Sequence, residues 1–506
     1  MILRIKFMVQ HSQKFQPASF LLACLIFCLF SNIGISFSQS DNFVLETEQH
    51  WDTYGIGGTC IPGTQNLALS DVDNDGVIEI VTGGFSYSRE NAIINSLGAP
   101  LRIWSWNGQN LTLEKGENWP GNIGCVTVED ADGDGVMEIL TAGRLSDNTK
   151  SGSSLRLWNW NGDNLSLRGS YTGVSISSIF VGDVDKDNMP EILTTGRAYN
   201  NSQSNAQLDV WSWNGKNLTL KKSAEWSATN DIARANSVYA SDLNGDGLTE
   251  IVTCGYVNSP KNSSGQLRVW QFNGIDLSLK TNAEWRIVNG YSVDNAGNVM
   301  GNTMAHTVKA DDVDNDGFPE ILTGGFTYDG EKVKGQLRIW NWTKGSLNLE
   351  KSQEWATSDI TELKSISVND VDGDGEKEIV TSGSSAGYGS FAQDAADKAQ
   401  AQIRVWGWDG CKLRLKQSKD WIVGEAVCAW NVGTGDLDND ATIEIVTVGC
   451  MQIEKTSDCD PDLRVWSLSV ASTLLMSLPY IHIAIIGSVV VVLVALALYI
   501  IVKRWR

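Results

Sequence analysis

An all-β fold of four-stranded sheets stacked radially into a ring is predicted by three observations on this 506-residue chain. An acidic phrase recurs seven times, and a Trp-rich phrase alternates with it seven times. A third phrase of alternating apolar and polar residues follows six times, and its missing seventh copy stands at the other end of the chain. Repetition at 53 to 70 residues marks stacked supersecondary units rather than independent domains.

The acidic phrase has the form DxDxDGxxE and runs into an apolar segment such as EIVTGG. Oxygen ligands at positions 1, 3, 5 and 9 of a tight loop are how a chain wraps a hard divalent cation. The first three copies place Asp71, Asp73, Asp75 and Glu79; Asp130, Asp132, Asp134 and Glu138; and Asp183, Asp185, Asp187 and Glu191. The fourth and fifth place Asp242, Asn244, Asp246 and Glu250, then Asp312, Asp314, Asp316 and Glu320. The last two place Asp370, Asp372, Asp374 and Glu378, then Asp436, Asp438, Asp440 and Glu444. Glycine at position 6 supplies a left-handed turn, and Asn188 tolerates one. Ala441 does not, so the seventh site is expected to be the weakest. The cofactor expected is calcium, up to seven structural ions, because a flexible all-protein oxygen cage suits it better than Mg²⁺. Ordinary turn chemistry also favours Asp, but four carboxylates in one turn repel each other without a cation.

Each unit reads as four strands. A short apolar strand (LALS, VTVE, IFVG and relatives) enters the acid loop, EIVTGG leaves it, and LRxWxW follows. A WNGxN hairpin then leads to the fourth strand, NLTLEKGENW and its relatives. In the third strand, Leu101 and Ile103 face one way while Trp104 and Trp106 face the other. Large side chains on both faces need cover on both faces, which radially stacked sheets of a β-propeller provide. Trp104, Trp158, Trp211, Trp270, Trp340, Trp406 and Trp466 are expected between sheets. The stretch Asn42 to Trp51 matches the fourth-strand phrase that is missing after Leu463 to Leu468. It is expected to complete the last sheet, closing a seven-bladed ring over residues 39–468.

These phrases resemble the FG-GAP/VCBS repeat family, best known from the N-terminal β-propeller of integrin α subunits. The resemblance covers about residues 42–468. It implies a seven-bladed propeller with calcium on one rim and ligand recognition mainly on the opposite face. The departures are Glu in place of Asp at position 9 and a faint FG-GAP phrase, GGF at Gly83 and at Gly324. Nothing resembles the leg domains of an integrin, so neither heterodimer formation nor a named ligand is carried over.

Two apolar segments bracket the repeats. Arg4, Lys6 and Lys14 precede the run from Phe20 to Phe30, which reads as a signal peptide (residues 1–38) cut near Ser38, or as an uncleaved anchor. After a short stalk (469–480), Ile481 to Val502 is uncharged and about 33 Å long as a helix, enough to cross a bilayer. Lys503, Arg504 and Arg506 would hold a short tail (503–506) in the cytoplasm. The expectation is a single-pass type I cell-membrane protein with its propeller outside. An exported chain permits disulfides. Cys450 and Cys459 flank a short acidic loop and are the first candidate pair, with Cys411 and Cys428 a second. Sequons at Asn110, Asn164 and Asn217 recur at the same hairpin, so glycosylation is expected to compete there with plain turn chemistry.

A net charge of −21 argues against nucleic acid as a partner. Partner binding is expected on the longest connections opposite the acid loops: Ser86 to Pro100, Arg286 to His306 and Ser384 to Gln402. Tyr54, Tyr291, Tyr388 and Phe391 are the aromatic candidates there. The first functional reading is a cell-surface adhesion or binding module for an extracellular protein or glycan. The alternatives are a carbohydrate-active, lyase-like propeller and an architectural envelope protein. No catalytic residue is assigned: between the leader and the second apolar segment only His50 and His306 occur, and neither lies in a GxSxG or HExxH phrase.

Overall fold

The computed structural model describes residues 43–50 and 65–469 with short gaps in the connections, the longest at 387–398 and 453–459. Every element described there is a β-strand. The pairings resolve, among the described residues, into seven groups of four antiparallel strands. The third group is representative: Ser175–Gly182, Glu191–Asn200, Gln203–Trp213 and Leu218–Trp226, each paired to the next. The other innermost strands are Leu67–Ser70, Cys125–Glu129, Ile232–Ser241, Met304–Asp311, Ile360–Asn369 and Ala426–Gly435.

The last group is composite. Its first three strands come from the C-terminal end of the repeats, and its outermost strand is Phe43–His50, paired antiparallel with Asp460–Leu468. Phe43 is buried against Trp466, with ring centroids 6.3 Å apart. The strand read from Asn42 to Trp51 therefore does complete this sheet.

Apolar side chains on both faces of each sheet pack against the neighbouring sheets. One cluster joins Val81, Leu101 and Ile103 to Ile139 and Trp158. Equivalent clusters join each later group to its successor. Another joins Leu437, Val446 and Val465 of the last group to Ile80, Trp104 and Trp106 of the first. This is a β-propeller. The seven tryptophans expected between sheets are all buried, and Trp211 is fully so. Burying such a ring removes roughly 150–250 Å² from water. In six of the seven the indole N–H donates to a threonine hydroxyl: Trp211 Nε1 to Thr194 Oγ1 at 2.9 Å, for example, and Trp270 to Thr253 at 3.0 Å. That gives a role in six repeats to the Thr that follows the acid loop, which the sequence reading left without one.

Two kinds of β-bulge recur. One lies in the innermost strand, displacing Ser177, Asn236, His306, Lys364 and Trp430 from the ladder. The other lies in the outermost strand opposite the buried tryptophan, in every group. A bulge bends its strand and re-aims one side chain.

Some expected boundaries shift. The connection read from Ser86 to Pro100 is instead partly a hairpin, Ser86–Glu90 pairing with the start of Ile93–Trp106. His306 belongs to an inner strand, and Ser384 and Gln402 lie in strands Glu378–Ala386 and Gln400–Trp408. Continued ladder hydrogen bonding extends these strands beyond their apolar alternation, which is the only part visible in sequence.

Candidate metal centres

Each acid loop is organised by its own backbone amides. In the first, Asp71 accepts from the amides of Asp75 and Gly76 at 2.9 Å each. Asp75 Oδ1 accepts from Val77 N, and Glu79 Oε2 accepts from Val72 N, both at 2.8 Å. The pattern recurs in the seventh loop at Asp436, Asp440 and Glu444. Position 6 is left-handed, with φ of 92° at Gly76 and 95° at Gly317, but also 69° at Asn188 and 68° at Ala441. A Cβ at that conformation costs about 1 kcal/mol, so Ala441 carries the strain its sequence implies.

The carboxylates converge. Ligand oxygens of Asp71, Asp73 and Glu79 lie within 4.8 Å of one another, as do those of Asp130, Asp132 and Glu138, and of Asp183, Asp185 and Glu191. In the fifth and sixth loops the converging set is Asp312, Asp314 and Asp316, and Asp370, Asp372 and Asp374. The third-position oxygens Asp73 Oδ1, Asp372 Oδ1 and Asp438 Oδ1 are buried with no hydrogen-bond partner among the described residues. A buried, unpartnered carboxylate oxygen is costly unless a cation faces it. These donor sets therefore fit a hard divalent ion, and the residues that would hold it are the Asp and Glu of positions 1, 3, 5 and 9. Such an ion would supply charge neutralisation and rigid cross-linking of the corner.

Burial pushes the closing glutamates up. Glu79 and Glu320 rise to about 8, opposed by one backbone hydrogen bond each and reinforced by neighbouring aspartates. Glu138, Glu250 and Glu444 rise to about 7 for the same reason. A carboxyl whose folded pKa exceeds its unfolded value binds protons preferentially in the folded state, so stability falls as pH rises between the two. The metal-free chain is therefore expected to melt at lower temperature at about pH 8.5 than at about pH 5.5. Thermal melts in EDTA check this; a melting point that climbs with pH contradicts it.

A hairpin of the next repeat comes close over five of the corners. A Cβ on Gly108, in the first WNG hairpin, would lie 2.5 Å from Asp438 Oδ2 of the seventh loop, and one on Gly162 would lie 3.1 Å from Asp73 Oδ2 of the first. The loops also touch around the rim: Asn74 Nδ2 donates to Gly135 O at 3.1 Å, and Asn439 Nδ2 to Gly76 O at 2.9 Å. The seventh corner thus meets the first.

A cavity of about 290 Å³ lies on the axis, lined by all seven innermost strands. His306, Asn236, Lys364, Lys309 and Glu129 reach it. Both nitrogens of His306 are buried without a hydrogen-bond partner among the described residues, and burial, then Lys364 and Arg234, holds the imidazole well below its usual range. Lys309 sits over the Tyr239 ring at 5.0 Å.

Residues 312–381 match the FG-GAP-like repeat family. That span holds the fifth and sixth acid loops and the Trp-rich strand between them. No curated protein matches the chain in sequence. Among solved structures, the chain is similar to Sqt1 from Chaetomium thermophilum at 10% identity and TM-score 0.46, covering 84% of this chain and 99% of that one. It is similar to the Dos1 propeller at 10% identity and TM-score 0.42, over 85% and 96% of the two chains. A rhamnogalacturonan lyase of Bacillus licheniformis is similar at 14% identity and TM-score 0.33, over 80% and 76%.

The aromatic candidates Tyr54, Tyr291, Tyr388 and Phe391 lie outside the described residues, as do both terminal apolar segments. No helix among the described residues is long and apolar enough to cross a membrane. Cys459 is also outside them, while Cys450 stands directly opposite Cys428 in the last group. Cys411 sits exposed in a hairpin of the sixth group, away from that ladder. Asn110, Asn164 and Asn217 are exposed. The sequence reading missed Lys221 and Lys416, whose ammonium groups reach into acid loops.

Proposed function

We propose that the chain is a membrane-anchored, calcium-stabilised extracellular propeller of seven blades that binds a protein or glycan partner through the rim opposite its acid loops. The observation that carries this reading is the convergence of carboxylates into corner after corner on a single rim, with some neighbouring corners tied by hydrogen bonds. A rim cross-linked in this way serves as a fixed base, and the connections of variable length emerge from the other side. Calcium is the ion favoured by an all-oxygen, flexible donor set facing an exported ligand-binding surface. The terminal apolar segments supply the secretion and anchoring parts of the proposal.

The test is to display the full chain on glycan and matrix-protein arrays with calcium and with chelator. Binding is expected with calcium, and it is expected to disappear when residues 287–302 are trimmed. A trimmed chain that still binds places the partner elsewhere. The axial cavity favours one second reading, a small-molecule or carbohydrate-active site using neutral His306. His306→Ala separates the two: it would abolish turnover but leave array binding unchanged.

A further inference from the structure

The outermost-strand bulge displaces the same structural position in all seven groups: Glu114, Arg168, Lys221, Lys280, Glu350, Lys416 and Glu46. In the third and sixth groups that side chain reaches the acid loop of its own group. Lys416 Nζ lies 3.0 Å from Asp372, 2.9 Å from Asp374 and 2.5 Å from Glu378. An ammonium has three donors, and here three carboxylates take them. Lys221 Nζ lies 3.0 Å from Glu191 and 3.8 Å from Asp185. Arg168 acts through space on Asp132, and Lys280 on Glu250. Glu114 instead adds negative charge beside Glu79, and Glu350 beside Glu320, Asp314 and Asp316.

We propose that this bulge residue decides which corners take a divalent cation. Glu114 and Glu350 deepen the cradles of the first and fifth groups, and the seventh, which has no lysine or arginine at this position, keeps a weaker one. Lys221 and Lys416 fill the third and sixth corners with the chain's own positive charge, and Arg168 and Lys280 weaken the second and fourth through space. The inference rests on the reading of the acid loops as cation sites. Its physics is direct competition: a cation and an ammonium cannot occupy the same ring of oxygens, and a fifth carboxylate deepens the potential a cation enters. The seventh corner ranks below the first and fifth for two reasons. Glu46 is engaged by Ser467 Oγ at 2.5 Å, and Ala441 strains the loop. The fourth corner ranks low twice over, since Asn244 already replaces one acid there.

Calorimetric titration of calcium into the stripped full-length chain tests this. The wild type is expected to bind about two ions tightly and about one more weakly in the millimolar range. Lys416→Gln is expected to raise the number of ions bound by one, and to melt lower than wild type in EDTA but recover with calcium. Glu350→Lys is expected to lower the number by one while gaining stability in EDTA, so it remains informative if Lys416→Gln folds poorly. Seven equivalent ions in the wild type, or an ion count that ignores both substitutions, overturns the assignment and leaves the cation reading intact. A wild type that takes up no calcium at about 10 mM removes the cation reading itself, and the assignment with it.

Discussion

Stripping divalent ions from the full chain with a chelator is expected to lower its melting temperature by about 4 to 8 °C, and calcium is expected to restore it. The size follows from linkage. An ion held at about 10⁻⁴ M and supplied at about 2 mM stabilises the folded state by about 2 kcal/mol per site. Two such sites and a third in the millimolar range give about 4 kcal/mol, and a chain of this size shifts by about 1 to 2 °C per kcal/mol. The structural ground is the buried Glu79, Glu320 and Glu444 and the unpartnered oxygens of Asp73 and Asp438, which without a cation face chiefly neighbouring carboxylates. Magnesium at the same concentration is expected to restore less, because it demands tighter octahedral geometry and gives up its water reluctantly. Differential scanning calorimetry in EDTA, calcium and magnesium measures all three. A melt that is unchanged by chelation would mean that the corners hold without a cation.

How much of this was legible in the chain depends on sequence distance. The acid loop is local: positions 1 to 9 set their own hydrogen bonds, so Asp71, Asp75, Gly76 and Glu79 could be placed from spacing alone. The buried tryptophans were legible because alternation put apolar residues on both faces of one strand. The closing strand was legible because a counted phrase was missing at one end and present at the other. What escaped was non-local register. Lys416 looks like any exposed strand residue until a bulge turns it onto Asp372, 44 residues away. The hairpin glycines read as turn residues, yet Gly108 also makes room for an aspartate from the opposite end of the repeats. Ladder register also sets Cys428 directly opposite Cys450, a juxtaposition that spacing along the chain does not show.

Deleting residues 42–51 is expected to have the largest effect of any small change, reducing the chain to an aggregating or non-cooperatively melting species. The last sheet would lose its outermost strand, and with it the cover over Trp466, Val465 and Leu468, which are all buried. It would also lose the partner of Arg464, whose Nη1 lies 2.6 Å from Glu48. A bare edge strand with unpaired backbone groups is a template for association, so the loss is compounded beyond the apolar area uncovered. A milder variant tests the same seam without removing backbone. Phe43→Ala deletes an aromatic side chain packed on Trp466 and is expected to cost about 3 kcal/mol, near the lower end for a buried ring. The seam is also where the first and seventh acid corners meet, through Asn439 and Gly76. Calcium should therefore protect Phe43→Ala more than it protects a core substitution on the far side of the ring, such as Leu193→Ala. Equal protection of the two variants by calcium, or a deletion that melts like the wild type, would show that this strand does not hold the ring together.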